Sequence, residues 1–502
     1  MAKENVWKTY TQEQCRELEV LAEDYKAFLD RGKTERECVT ETIRQAEAAG
    51  YVNLEDVIRE GKVLKTGDKV YAVCMNKAIA LFLLGEDPMR QGMRILGAHI
   101  DSPRLDLKQN PLYEDTELVY LDTHYYGGVK KYQWVTIPLA MHGVVAKKDG
   151  TLTEICIGEK DTDPILCVTD LLIHLSGEQL EKKAKVVIEG ENLDVLIGSR
   201  PLEDFSGAAE KSCGSDVQEN PGCEKTGACV GENPGHEMEG ACREEKNKKT
   251  KDAVKAAILK ILKDTYDMEE EDFLSAELEI VPAGKARDCG LDRSMVAAYG
   301  QDDRVCGYTS LAALLDMADA KQTCCCLLVD KEEIGSVGAT GMQSRFFENT
   351  VAELMNCMGQ YSELDLRRCL SNSRMLSSDV SAAYDPLYAG AFEKKNAAYF
   401  GKGLVFNKYT GSGGKGRSND ANAEYLGWIR SVMEKHQVAF QTAELGKVDF
   451  GGGGTIAYIS ALYGMEVVDS GVAVMNMHAP MELTSKADIY EAKKGYLAFL
   501  KG

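Results

Sequence analysis

Residues 324–336 read Cys-Cys-Cys-Leu-Leu-Val-Asp-Lys-Glu-Glu-Ile-Gly-Ser, an apolar run that ends in a cluster of charges. A short apolar run bounded by charge predicts a buried strand. The adjacent Glu332 and Glu333 at its end are unfavourable unless a cation compensates them. In open α/β sheets, ligands bind outside the carboxyl ends of the strands. The stretch therefore predicts an α/β fold with a cation site at one edge of its sheet.

Four further segments carry metal-ligand side chains, and most of them follow apolar runs. They are residues 97–103 with His99 and Asp101, 299–304 with Asp302 and Asp303, 375–379 with Asp379, and 472–480 with His478. Each has an ordinary explanation when taken singly: a structural histidine, a helix cap at Asp379, or a solvated turn at Asp302 and Asp303. Together they supply the number and type of ligands for two divalent ions, each with an open position.

The apolar pattern changes twice along the chain. The start is helical, with a Thr34 and Glu37 capping box before a helix that stops at Gly50, and residues 94–100 predict a buried strand. From about 103 to 200 the sequence is β-branched and rich in turns, with 135–145 and 185–188 as examples. Helices and buried strands return near 252, and Ser485 with Asp488 predicts a cap for the last helix. We predict an α/β domain with a central mixed sheet (1–102 and 252–502), interrupted by a β-rich domain (103–251).

The charge of the chain excludes some classes of partner. Lys and Arg number 59 and Asp and Glu 80, a net charge of −21, which opposes binding to nucleic acid or anionic lipid. No stretch reaches the roughly 18 to 20 apolar residues of a membrane helix. The first residues lack the apolar core of a signal peptide, so we expect a cytoplasmic protein.

The sixteen cysteines predict reduced core thiols, since several lie in apolar runs. Residues 204–250 are rich in Gly, Glu, Lys and Asn, which predicts a flexible surface insert. The insert contains Cys213, Cys223, Cys229, Cys242 and His236. None of their spacings forms the close cysteine pair of a zinc knuckle, so we favour a disordered loop there over a metal site.

The sequence resembles the aspartyl-aminopeptidase family of cocatalytic zinc exopeptidases over nearly the whole chain. Six segments carry the resemblance in the family's order: Ala-His-Ile-Asp-Ser-Pro (98–103), Gln-Asp-Asp-Arg (301–304), Asp-Lys-Glu-Glu-Ile-Gly-Ser (330–336), Ser-Ser-Asp (377–379), Gly-Gly-Gly-Thr-Ile (452–456) and Met-His (477–478). Residues 125–131, Tyr-Tyr-Gly-Gly-Val-Lys-Lys, are closer to the bacterial branch. The resemblance implies a zinc peptidase domain interrupted by a β-rich oligomerisation domain, in a homo-oligomer that is usually a tetrahedral dodecamer.

The resemblance also implies a role for each candidate residue. Two Zn²⁺ ions per subunit would be held by five ligands: His99, Asp302, Glu333, Asp379 and His478. Asp302 would bridge the ions, and Glu332 would be the general base that deprotonates a water shared by both. Asp101 would lie behind His99 and receive its second ring N–H.

Two residues are implied to meet the substrate. Lys408 would pair with an acidic side chain on the substrate's first residue, and a solvated surface lysine is the alternative. His174 resembles a histidine that the family presents to a neighbouring subunit's active site, and a core histidine is the alternative.

We therefore interpret the chain as a zinc aminopeptidase that hydrolyses the N-terminal residue of peptides. A related dinuclear carboxypeptidase or N-acyl-amino-acid deacylase is a second hypothesis. A self-assembling scaffold without turnover is a third, which the complete set of ligands and Glu332 disfavours. The ligand types also suit Co²⁺ or Mn²⁺, and the sequence does not decide between acidic and neutral substrates.

Overall fold

The computed structural model describes residues 4–201, 252–411 and 414–502. Within them the helices are α1 (Gln12–Arg31), α2 (Glu35–Ala48), α3 (Leu54–Arg59), α4 (Gly177–Leu180), α5 (Ala253–Tyr266), α6 (Gln301–Leu315), α7 (Phe346–Cys357), α8 (Glu363–Asn372), α9 (Ala423–Lys435), α10 (Ala457–Ala461) and α11 (Lys486–Lys501). The predicted flexible insert and its cysteines lie outside the described residues.

The strands form three sheets. They are β1 (Val52–Asn53), β2 (Lys69–Cys74), β3 (Ala78–Leu83), β4 (Arg94–His99), β5 (Arg104–Asp115), β6 (Leu118–Tyr126), β7 (Leu139–Ala146), β8 (Leu152–Ile157), β9 (Cys167–Val168), β10 (Val195–Gly198), β11 (Ala276–Pro282), β12 (Arg287–Cys289), β13 (Met295–Ala298), β14 (Cys324–Val329), β15 (Arg374–Ser378), β16 (Ser381–Ala382), β17 (Leu404–Asn407), β18 (Phe440–Thr442), β19 (Glu466–Gly471), β20 (Ala473–Met475) and β21 (Glu482–Ser485).

The largest sheet has nine strands in the order β1-β2-β3-β14-β4-β15-β19-β17-β18. Its centre, β14-β4-β15-β19, is parallel, whereas β3 and β17 run antiparallel to their neighbours in that group. The expected α/β fold with a central mixed sheet is thereby confirmed. The parallel centre matters most, because it brings several strand ends to one edge.

Both faces of this sheet are buried, which explains the continuous apolar run of β14. Cys326 lies in a core with Phe499 of α11, and the next residue, Leu327, lies in a second core with Phe347 of α7. Every cysteine in the described part of the chain is free, but only six of these twelve are buried, so the expected core position holds for half of them.

The second sheet has seven strands in the order β8-β7-β11-β5-β6-β10-β9. It includes β11, and Val254 and Leu262 of the preceding α5 lie in its core. The seven-stranded unit thus continues to Pro282, past residue 251 where the pattern predicts a return to the α/β domain. The sequence pattern of α5 predicts a helix, but it does not show which sheet the helix packs on. Residues 185–188 are another difference, since Ala184–Val186 is a 3-10 helix and not a strand.

The third sheet has five strands in the order β12-β13-β21-β20-β16. Strands β20 and β21 pair antiparallel, and β16 pairs parallel with β20. The chain between β20 and β21 contains His478, so this small sheet holds one of the candidate ligands.

The two predicted helix caps have different outcomes. Thr34 and Glu37 form the expected capping box at α2. Ser485 is the N-cap residue of α11, as the pattern predicts, but its side chain makes no capping hydrogen bond. The Asp488 carboxylate instead accepts the backbone N–H groups of Gly401 and Gly403, at 2.8 and 2.7 Å. A distant loop thus replaces the local partner.

No helix in the described ranges is long and apolar enough to cross a membrane.

A buried histidine joins α2 to the seven-stranded sheet. His142 of β7 lies 2.7 Å from the Glu37 carboxylate through Nδ1 and 3.2 Å from Glu159 through Nε2. Burial disfavours the charged ring, but hydrogen bonds with Cys156, Glu159 and Glu37 outweigh it and raise the pKa of His142 to about 11. The ring is therefore a cation between two carboxylates.

We predict that His142→Gln destabilises the protein more at pH 6 than at pH 9. The folded pKa lies above the unfolded value of about 6.5, so the charged ring stabilises fully below about pH 6.5. Its contribution falls as the pH rises through about 11. Urea unfolding at pH 6 should show a loss of roughly 1–3 kcal/mol. The control is His436→Gln, since burial and nearby lysines lower the pKa of His436. An equal loss at both pH values would contradict the prediction.

Candidate metal centre

The strand ends bring the candidate ligands together. His99 ends β4, Glu332 and Glu333 lie in a 3-10 turn after β14, and Asp379 directly follows β15. Because β14, β4 and β15 are adjacent and parallel, these residues meet at one edge of the sheet. Asp302 comes from the start of α6.

Asp302 lies between the two histidines. Its Oδ1 is 3.3 Å from His99 Nε2, and its Oδ2 is 3.2 Å from His478 Nε2. His478 Nε2 is also 3.5 Å from Glu333 Oε1, whereas His99 Nε2 is 4.0 Å from Glu332 Oε2. The carboxylate of Asp302 thus faces two separate groups of ligands.

The donor atoms fit divalent metal ions. Three sets of ligand atoms lie within 4.8 Å of one another: His99, Asp302 and Glu333; His99, Glu332 and Asp379; and Asp302, Asp303 and Asp379. Glu333 Oε1 and both carboxylate oxygens of Asp303 are buried without a hydrogen-bond partner in the described structure. Imidazole and carboxylate together are typical zinc ligands. Buried oxygens without partners are what a bound cation would satisfy.

The hydrogen bonds of the histidines leave the correct ring nitrogens for a metal. His478 Nδ1 lies 2.9 Å from the carbonyl oxygen of Gly128, which can only accept, so Nδ1 carries the proton. His99 Nδ1 lies 3.1 Å from the carbonyl oxygen of Asp101 and 3.3 Å from its carboxylate. In both rings the nitrogen that faces Asp302 is therefore Nε2, which leaves this atom as the one to bind a metal.

The site gathers more buried and partly buried carboxyl groups than its two histidines can balance in ionised form. Burial raises the pKa of Glu332 to about 7, with Asp101 and Asp302 adding to the effect and His99 opposing it. Burial also raises the pKa of Glu333 and of Asp379 well above their usual range. Asp302 behaves differently, because hydrogen bonds from His478 and His99 outweigh burial and lower its pKa. Added positive charge would stabilise the ionised cluster.

Asp101 supports several parts of the site at once. Its Oδ1 accepts the backbone N–H of Glu332 at 3.1 Å and faces His99 Nδ1. Its Oδ2 accepts the backbone N–H of Glu333 at 3.2 Å and the hydroxyl of Tyr126 at 2.8 Å. The carboxylate therefore orients His99 and also holds the turn that carries both glutamates.

The end of β6 in the seven-stranded sheet and the two glycines that follow it lie against the candidate metal ligands. Besides the Tyr126 hydroxyl, this segment supplies the Gly128 carbonyl to His478. A Cβ at Gly128 would lie 3.1 Å from His478 Nδ1, and one at Gly127, where φ is +73°, would lie 3.3 Å from Glu333. The pair of glycines thus permits this close approach. Sequence reasoning did not assign Tyr126 a role, although it lies in the quoted segment 125–131.

Sequence reasoning also missed Glu482. This residue of β21 is 1% exposed and accepts the backbone N–H groups of Asp302 and His478. Burial raises its pKa to about 8, with Asp302 adding to the effect. It lies four residues after the candidate ligand His478, but no pattern in the sequence marked it as a partner of Asp302.

The two predicted substrate residues lie apart from these ligands. Lys408 is half exposed, and its Nζ lies 2.9 Å from the carboxylate of Asp420, which Lys415 also contacts at 3.1 Å. His174 lies in an exposed 3-10 turn, Ile173–Leu175, of the seven-stranded unit. Within the described residues, neither side chain has a hydrogen bond or ion pair with a candidate metal ligand.

Comparison with known proteins identifies the family of the chain. The family described as Aminopeptidase I zinc metalloprotease (M18) matches residues 28–500. A Clostridium acetobutylicum protein named "Probable M18 family aminopeptidase 1" is 58% identical over 496 residues, covering 99% of this chain and 97% of that protein.

Solved structures show the same fold. An M18 aminopeptidase from Thermotoga maritima has a TM-score of 0.86 and 40% identity, covering 100% of this chain and 99% of that one. Aminopeptidase I from Clostridium acetobutylicum has a TM-score of 0.84 and 56% identity, covering 99% of both chains. The resemblance seen in the sequence is confirmed: the chain belongs to the M18 family of aminopeptidase I zinc metalloproteases.

Proposed function

We propose that this M18 aminopeptidase removes the first residue of peptides with a free α-amine, using two zinc ions and Glu332 as the general base. One observation carries the proposal: the Asp302 carboxylate lies between His99 and His478, at 3.3 and 3.2 Å. A carboxylate with one oxygen toward each imidazole suits a ligand that bridges two ions.

The distances suggest which of the two ions each of the other ligands would bind. Glu333 lies beside His478. This supports Glu333, His478 and Asp302 as the ligands of one ion. Asp379 lies in one group with His99 and Glu332. This supports His99, Asp379 and Asp302 as the ligands of the other ion. Zinc is the metal of the family, and Co²⁺ or Mn²⁺ remain alternatives for this ligand set.

The chain's own residues then determine the proton transfers. When bound, the zinc ions polarise the scissile carbonyl and acidify a water. Glu332 accepts a proton from the attacking water at its carboxylate and returns it to the leaving amine nitrogen, while the water oxygen bonds to the carbonyl carbon and the C–N bond breaks. The acidic ligands around the site would favour the substrate's α-amine, which places cleavage one residue from the N-terminus.

We also propose an assembled form, a tetrahedral dodecamer in the cytoplasm. The yeast protein mApe1, which shares this fold at 17% identity with a TM-score of 0.70, was solved as a dodecamer. Around His174, the side chains of Leu172, Ile173 and Leu175 are 56%, 63% and 69% exposed, which suits burial against another subunit. There His174 would reach a neighbour's active site. The free cysteines support a reducing compartment.

Lys408 would contact an acidic side chain of the substrate only by leaving Asp420. If Lys408 left, Asp420 would still have Lys415 as a cationic partner. We therefore keep acidic and neutral first residues as alternative preferences.

We expect Glu332→Gln to lower kcat by roughly 10²- to 10⁴-fold, because the amide cannot accept the water's proton. Zinc content by elemental analysis should stay near two ions per chain. The matched control is Glu424→Gln at an exposed position, which should leave kcat unchanged. Loss of zinc together with activity would instead make Glu332 a ligand.

A panel of aminoacyl chromogenic substrates tests the reaction class. We expect hydrolysis with a free α-amine, none when the amine is acetylated, loss of activity with a chelator and recovery when zinc is added. Equal hydrolysis of the acetylated substrates would favour a deacylase, and release of C-terminal residues from peptides would favour a carboxypeptidase. Acidic and neutral members of the panel, compared with the Lys408→Ala variant, test the role of Lys408.

We expect His174→Phe to lower kcat while the particle keeps its size in mass photometry, because the aromatic ring fills the same space without hydrogen bonding. Leu172→Asp should instead disrupt assembly and lower activity with it. A fully active single subunit would contradict the proposed role of His174.

A further inference from the structure

The buried carboxylate of Glu482 connects two ligand-bearing segments that are far apart in sequence. Its Oε2 accepts the backbone N–H of Asp302 at 2.9 Å, and its Oε1 accepts the backbone N–H of His478 at 2.7 Å. Its own backbone carbonyl accepts a hydrogen bond from the Gln301 side chain at 2.7 Å. Glu482 is therefore held in place by Gln301, and its carboxylate in turn holds the segments that contain Asp302 and His478.

We propose that Glu482 is a positioning residue that sets the spacing between Asp302 and His478 and so controls the affinity for the ion they share. The proposal rests on the proposed two-ion function. It concerns the main chain, because the carboxylate touches the N–H groups of the ligand residues and not their side chains.

The backbone of His478 supports a positioning role. Its φ is +65°, a left-handed conformation that residues other than glycine rarely adopt. Two hydrogen bonds hold it there, from its N–H to Glu482 and from its ring to the Gly128 carbonyl. If Glu482 stopped accepting, the N–H of a strained residue would lose its partner, and His478 would be free to relax away from Asp302.

The two supporting carboxylates act on different parts of the site. Asp101 holds His99 and the turn with Glu332 and Glu333, whereas Glu482 holds Asp302 and His478. Since only His478 of the two histidines depends on Glu482, its loss should weaken the ion bound beside His478 more than the ion bound beside His99.

The test is a zinc titration of Glu482→Gln against a competing chelator, read as the Kd of each ion. The amide offers one acceptor oxygen, so one N–H loses its partner. We expect the Kd of the ion beside His478 to rise roughly 10- to 100-fold and that of the ion beside His99 to rise less, since the two ions share Asp302. At saturating zinc, kcat should recover most of the parent value, which a collapsed site would not do.

Glu491→Gln is the matched control. Glu491 is also 1% exposed and accepts a backbone N–H, from Ala439 at 2.7 Å, but it lies in α11 and contacts Tyr10. Its loss should lower the unfolding temperature of the zinc-free protein without changing either Kd. Where Glu482→Gln does not fold, Glu482→Asp keeps the charge but is one carbon too short to reach both N–H groups, and we expect the same selective loss.

Parent affinity for both ions in the Glu482 variants, or an equal loss of both, would overturn the proposal. The titration of the parent protein separates this outcome from failure of the proposed function. One ion per parent chain would refute the two-ion function, while the shift in that ion's Kd would still decide the role of Glu482.

Discussion

Repulsion among buried carboxylates is the constraint on which this site depends. The parallel centre of the nine-stranded sheet brings Glu332, Glu333 and Asp379 to one edge, and α6 adds Asp302. Burial raises the pKa of the first three, so their ionised forms are unfavourable until a cation compensates them. The same repulsion that opposes folding of the zinc-free protein favours metal binding, which couples metal affinity to stability.

The ligands are positioned through the main chain as much as through side chains. Asp101 and Glu482 are both buried, and each uses its two oxygens to accept N–H groups from residues at the site. Backbone hydrogen bonds to a charged acceptor are short and directional. The two histidines thus have different supports, Asp101 for His99 and Glu482 for His478, so loss of one carboxylate is expected to affect the two proposed ion sites unequally.

Much of this structure is readable in the sequence, and the parts that are not have a common cause. The strand of residues 324–329 and the meeting of the candidate ligands at its end follow from local pattern, because parallel strands share an edge. Tyr126 and Glu482 were not predicted, since each has a partner far away in the chain, Asp101 for Tyr126 and Asp302 for Glu482. The same reason applies to α5, because its pattern predicts a helix but not the sheet on which the helix packs. It also applies to Asp488, whose carboxylate accepts a hydrogen bond from a distant loop. Local sequence patterns predict helices and strands, whereas contacts between distant residues determine where these elements pack and which groups they hold.

The close approach of Gly127 and Gly128 to Glu333 and His478 has a practical consequence for inhibitor discovery. A shortened protein lacking the seven-stranded sheet would keep all five proposed ligands and still be a poor surrogate for screening. Its His478 ring would lose the carbonyl that selects its tautomer, and Asp101 would lose the Tyr126 hydroxyl. Compounds ranked on such a fragment would be selected for a different protonation pattern and a wider opening than the complete chain presents.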